Sequence, residues 1–218
     1  MIPKIIHYCW FGKNPMSPLI EECIKSWHRY LPDWEFILWN EDNSPLEHDF
    51  VKKALKDKKY AFVADYVRCH ALYEYGGVYL DTDMELIKDI STLLNNDFFA
   101  AYEDSDQDKV SCGVIGCIKG HQILKLVLGF YDANSSVYKT MPYVLGSVYN
   151  KVSKERDIVL SQNSFYPYNP FDPDKPVKQL MYVHIKEDTY GIHHWGYSWK
   201  FNYLERIINK LKRILKGL

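Results

Sequence analysis

Two aspartates one residue apart, Asp81 and Asp83, close the apolar run Gly76-Gly77-Val78-Tyr79-Leu80. Where a strand opens into a loop, alternation sends residues i and i+2 to the same side, so both carboxylates can face one cation. Hard divalent ions such as Mg²⁺ and Mn²⁺ prefer oxygen ligands and leave coordination positions for phosphate oxygens. These residue types at this spacing suit a cation that holds a diphosphate, although an isolated D-x-D is more commonly a solvated turn.

The segment before the pair is what must position it. Tyr60 to Tyr75 carries apolar residues at helical spacing and ends in Gly76-Gly77, where a helix stops and the chain reverses. Within that helix Asp65 and Arg68 stand three apart on one face. They form either an intrahelical ion pair or a pair that reaches a sugar hydroxyl (Asp65) and a phosphate (Arg68), the second task suiting a planar guanidinium.

The stretch Ala64-Asp65-Tyr66-Val67-Arg68, followed by Gly76-Gly77-Val78-Tyr79-Leu80-Asp81-Thr82-Asp83, resembles the central signature of the glycosyltransferases whose sugar-binding region contains a DXD motif. Ile2 to Gly12 is similar to that family's opening strand, and Tyr190-Gly191-Ile192-His193-His194-Trp195 with Ser198-Trp199 is similar to its closing motif. The resemblance implies a GT-A-like fold and a metal-dependent, retaining transfer of sugar from a nucleoside-diphosphate sugar, a UDP-sugar being favoured, to a saccharide acceptor. It implies Mn²⁺ or Mg²⁺ held by Asp81 and Asp83, with His193 or His194 as a further ligand. Asp83 is expected to be the direct ligand, and Asp81 either shares the metal or accepts hydrogen bonds from the ribose. Asp65, Arg68, Asp81 and Asp83 form the expected catalytic set. Tyr8 and Trp10 are expected at the nucleobase, and Ser198, Trp199 and Lys200 at the diphosphate. Between these anchors the chain departs from many relatives, reading Val110 to Gly116 where they carry an asparagine and Met141-Pro142 where they carry Gly-Pro.

With 218 residues, 47% of them hydrophobic, and a net charge of −1, the chain suits one domain with a proper core and neither disorder nor nucleic-acid binding. The five cysteines are odd in number and lack C-x-x-C spacing, which argues against a zinc ribbon or a disulfide framework and for a reducing compartment. The Asn134-Ser135-Ser136 sequon would be idle there. No signal peptide and no apolar run near the ~20 residues of a bilayer span is read. Together with the resemblance, this implies a bacterial cytoplasmic enzyme of capsule or other surface polysaccharide synthesis, peripheral at the inner face of the membrane.

Strand signals at Lys4 to Trp10 and Glu35 to Trp39 alternate with helical patterns at Pro18 to Tyr30 and Glu47 to Lys58, ahead of the signature helix and strand. Such alternation predicts an α/β, mostly parallel central sheet flanked by helices, with ligands beyond the carboxyl ends of the strands, where Trp10, Asn40 and Asp81 emerge. Further on, strands are expected at Phe98 to Tyr102, Gly113 to Ile118 and Leu180 to Ile185, helices at His121 to Tyr131 and Met141 to Lys154, and an irregular loop from Asn163 to Lys178. The domain is taken as residues 1–202. Residues 203–218 form a basic amphipathic C-terminal helix that either packs on the core or lies on an anionic membrane, where a lipid-linked acceptor would be found. From other classes, the acidic pair would also suit a metal phosphohydrolase, and the 16% of aromatic residues a non-catalytic carbohydrate-binding protein.

Overall fold

Three strands of the six-stranded central sheet are laid down around the first three helices in a computed structural model that describes residues 1–104, 109–172 and 176–196. Strand β1 (Ile5–Cys9) leads to helix α1 (Pro18–Tyr30), β2 (Glu35–Trp39), α2 (Asp49–Lys56), α3 (Tyr60–Tyr75) and β3 (Gly77–Leu80). Then come β4 (Met84–Leu86), β5 (Phe98–Tyr102), β6 (Val110–Cys117), α4 (Gln122–Ala133), α5 (Met141–Val152), β7 (Asp157–Leu160) and β8 (Gly191–His193). The main sheet runs β2-β1-β3-β6-β5-β7, and a second, two-stranded sheet pairs β4 with β8. β1–β2, β1–β3 and β5–β7 are parallel, whereas β6 is antiparallel to both β3 and β5.

Local chemistry explains the boundaries. Ser17 caps α1 by accepting the Ile20 N–H, Pro18 opens the helix where no donor is needed, and His28 and Arg29 lie in its last turn. α3 ends at Gly76 and Gly77, both in the left-handed region at φ 68° and 105°. A Cβ at Gly77 would lie 2.7 Å from the Ile5 carbonyl oxygen, so only glycine lets β3 enter the sheet beside β1. β3 is buried along its whole length. One core packs α2 to α5 on one side of the sheet, and another packs α1, β4 and Trp195 on the other.

The expected strand at Leu180 to Ile185 is not formed. The segment makes a short 3₁₀ turn at Tyr182–His184, with Met181, Tyr182 and Val183 facing solvent. Its β-branched and aromatic composition promotes a strand only beside a partner edge, and it pairs with none among the described residues. β4 and β7, absent from the sequence reading, are short strands defined by their neighbours' pairing. All five cysteines are free, as expected. The C-terminal amphipathic segment lies outside the described residues.

His7, fully buried in β1, is satisfied as a neutral ring. Its Nε2–H donates to the Gly76 carbonyl at 2.8 Å, and its Nδ1 accepts the Trp39 indole N–H at 3.1 Å. Burial lowers its pKa from 6.5 to about 4, against the pull of the Gly76 carbonyl. Between those values the unfolded chain binds the proton and the folded chain does not, so this residue makes stability fall as pH drops from 6.5 through 4. The full effect is on the order of 3 kcal/mol. Urea denaturation across that window should show His7→Gln losing this component of the wild-type slope; parallel slopes would contradict the assignment.

Candidate active site

The parallel trio β1, β2 and β3 delivers Trp10, Asn40 and Asp81 to one end of the sheet, as read from the sequence. Asp83 then enters β4, whose first residue, Met84, pairs with His193 at the end of β8. Strand register thus brings residues 110 positions apart in the chain into one site. His193 Nε2 lies 3.1 Å from Asp83 Oδ1 and 3.9 Å from Asp81 Oδ2. Ligand atoms of Asp81, Asp83 and His193 all fall within 4.8 Å of one another.

Each carboxylate is oriented through its other oxygen. Asp81 Oδ1 accepts the Tyr79 hydroxyl at 3.0 Å and lies 3.2 Å from Arg68 Nη1. Asp83 Oδ2 accepts the Gly196 backbone N–H at 2.6 Å. Arg68 itself is fixed from every side. Nε donates to the Ala64 carbonyl, Nη1 to the Cys112 carbonyl, Nη2 pairs with Asp65 at 3.2 Å, and the guanidinium lies 4.4 Å over the Tyr79 ring. Asp65 and Arg68 are both buried and form the intrahelical pair, and Arg68 also reaches Asp81 at the acidic tip.

Electrostatics follow from this crowding. Burial would raise the Asp83 carboxyl, but the charge and hydrogen bond of His193, with the Gly196 N–H, bring it down to about 2. Burial opposes a charge on His193, yet Asp83, then Asp81 and Glu103, carry it above the ordinary value. Asp65 is pushed up to about 6 by burial, against the pull of Arg68. Two carboxylate oxygens and one imidazole nitrogen are a donor set that Mn²⁺ or Mg²⁺ accepts. The His193 Nδ1 is buried with no hydrogen-bond partner among the described residues, and the ring is held instead by Trp195, edge-on at 4.5 Å.

His194 turns elsewhere, its Nε2 hydrogen-bonding Glu85 Oε2 at 2.8 Å, as alternation at a strand end requires. Half-buried Trp10 gives its indole N–H to the Asn14 carbonyl, and Tyr8 packs edge-on against Trp27. Ser198, Trp199 and Lys200 lie outside the described residues. Three participants escaped the sequence reading. Tyr79 stands two before Asp81 on a strand, a spacing that signals a shared face. Tyr166 and Gly113 carry no local signal. A Cβ at Gly113 would lie 2.7 Å from Tyr166 Oη and 2.9 Å from Asp81 Oδ2, so the missing side chain makes room for the carboxylate.

Residues 17–100, which hold Asp65, Arg68, Asp81 and Asp83, match the family described as glycosyltransferase sugar-binding region containing DXD motif. That region carries the signature of the DXD-motif glycosyltransferases. Inositol phosphoceramide mannosyltransferase 3 of Schizosaccharomyces pombe is 31% identical over 132 residues, covering 58% of this chain and 36% of that protein. Uncharacterized glycosyltransferase L373 of Acanthamoeba polyphaga mimivirus is 29% identical over 140 residues, covering 58% and 54%. The chain thus spans about a third to a half of the length of these curated relatives. Among solved structures, PaToxG glycosyltransferase superposes with a TM-score of 0.58 at 18% identity, covering 69% of this chain and 70% of that one. The expected GT-A-like α/β fold is the one the chain has.

Within this site, removing one of the two donors to Asp81 Oδ1 should loosen a bound cation without dismantling the cluster. Tyr79→Phe is expected to weaken Mn²⁺ binding, measured by calorimetry, by about tenfold. Gly113→Ala should displace the Asp81 carboxylate and weaken binding at least as much. Unchanged affinity in both folded variants would show that these contacts do not orient a ligand.

Proposed function

We propose that the chain is a metal-dependent, retaining glycosyltransferase that moves a sugar from a nucleoside-diphosphate sugar, a UDP-sugar being favoured, to a saccharide acceptor. The convergence of Asp81 Oδ2, Asp83 Oδ1 and His193 Nε2, each presented by a side chain held from behind, is the observation that carries this reading. The match of residues 17–100 to the DXD-motif glycosyltransferase family supports the reaction class. A bound divalent cation would supply Lewis-acid stabilisation of the charge that grows on a departing diphosphate.

The chain's own residues would do the rest. Asp81 and Asp83 would hold the cation, and His193 would complete the protein side of the ligand set. Asp65 and Arg68 would keep Asp81 in register and border the sugar; Trp10, at the end of β1, would border the nucleobase; Ser198, Trp199 and Lys200 would contact the diphosphate. Retention would come from a same-face displacement. The anomeric bond to the diphosphate oxygen breaks, the acceptor oxygen bonds to that carbon on the same face, and its proton passes to the leaving phosphate.

The acceptor is proposed to be a lipid-linked saccharide at the inner face of a cell membrane, the protein being cytoplasmic and peripheral. The fission-yeast relative, named an inositol phosphoceramide mannosyltransferase, fits a lipid-borne acceptor. A place in bacterial surface-polysaccharide synthesis is part of the proposal, and relatives from a yeast and a virus do not speak to it.

A donor that needs the metal should raise the melting temperature only when both are present, because a ligand stabilises the state it binds in proportion to occupancy. Thermal-shift screening of UDP- and GDP-sugars with and without Mn²⁺ should single out one donor in this way. Asp83→Ala should abolish that shift and the slow hydrolysis of the donor. Donor binding that is indifferent to Mn²⁺ and to Asp83→Ala would defeat the proposal.

A further inference from the structure

Met181, Tyr182 and Val183 are 54%, 94% and 67% exposed, three apolar side chains in succession at the tip of one turn. The turn is well tied. Met181 N–H donates to His184 Nδ1 at 3.0 Å, His184 N–H to the Met181 carbonyl at 2.9 Å, and Ile185 N–H to the Tyr182 carbonyl at 3.1 Å. Its base is pinned by fully buried Thr189, whose hydroxyl accepts the Lys186 N–H at 3.0 Å. The backbone is therefore set to point these side chains outward, at the cost of leaving them in water, and contiguous exposed apolar surface of this kind marks a contact site.

We infer that this tip is a wedge that enters the headgroup region of an anionic lipid bilayer. Even wholly covered, three such side chains would contribute roughly half of the ~800 Å² per partner that a stable protein interface needs. A convex tip can instead insert on its own, with a tyrosine at the depth where aromatic rings settle. Exposed Lys178 and Lys186 bracket the tip, and Lys88 is drawn in by donating to the Glu187 carbonyl. From Pro176 to Lys186 the segment that forms the tip carries Lys178 and Lys186 and no acid, which is the sign an anionic surface favours. The inference does not depend on the proposed reaction.

The test uses the whole chain and sedimented vesicles, either phosphatidylcholine alone or an equimolar mixture with phosphatidylglycerol. The wild type should partition onto the mixed vesicles. The variant Met181→Ser, Tyr182→Ser, Val183→Ser, with an unchanged melting temperature, should do so at least about tenfold more weakly. As a second reading, an environment-sensitive fluorophore on Val183→Cys should brighten and shift to the blue with mixed vesicles. Equal sedimentation of variant and wild type, absence of wild-type binding, or a fluorophore blind to vesicles would each overturn the inference. So would a dimer, seen by light scattering, that the triple variant dissolves.

Discussion

A guanidinium buried between two carboxylates is the constraint on which the rest of the site depends. Arg68 cannot leave its place without stranding buried Asp65 as an uncompensated charge and freeing half-buried Asp81, and breaking a buried pair costs about 3–5 kcal/mol. It is equally tied to two backbone carbonyls, one in its own helix and one in β6. The helix α3, the strand β3 and the strand β6 are therefore locked together at the point where Asp81 emerges. With one oxygen of Asp81 committed to Arg68 and Tyr79, the other is left to face His193.

The second half of the site is built by register rather than by charge. β8 pairs with β4 so that His193 stands opposite Met84, and this sets the imidazole beside Asp83. The following backbone returns to the same aspartate twice, through the His194 N–H to its carbonyl and the Gly196 N–H to its side chain. The charge and hydrogen bond of His193 hold Asp83 ionised despite its burial, and the aspartates in turn carry the His193 pKa above its ordinary value, so the imidazole balances part of the acidic charge. A divalent cation would take over that balancing task and serve a diphosphate as well.

Much of this was readable in the chain. The α3 helix and the Gly76-Gly77 break follow from periodicity and from the backbone freedom that the close approach to Ile5 demands. The shared side of Asp81 and Asp83 follows from strand alternation, and the position of the donor end follows from the parallel trio. What stayed hidden depends on partners distant in sequence. β4 and β8 are three residues each and exist only because they pair with one another. The choice between His193 and His194 turns on which side of β8 each faces, and that is a matter of register. Gly113 opens space for Asp81 from another strand, so nothing in its own neighbourhood announces it. The segment from Leu180 to Ile185 misled in the opposite direction, having strand composition but joining no edge among the described residues.

The most direct measurement of the central claim is anomalous diffraction at the manganese edge from crystals soaked in Mn²⁺ and UDP. A single peak is predicted within coordination distance of Asp81 Oδ2, Asp83 Oδ1 and His193 Nε2, with the diphosphate completing its shell. A peak at Glu85 and His194 instead, or nucleotide bound in the cleft with no manganese between the aspartates, would contradict it.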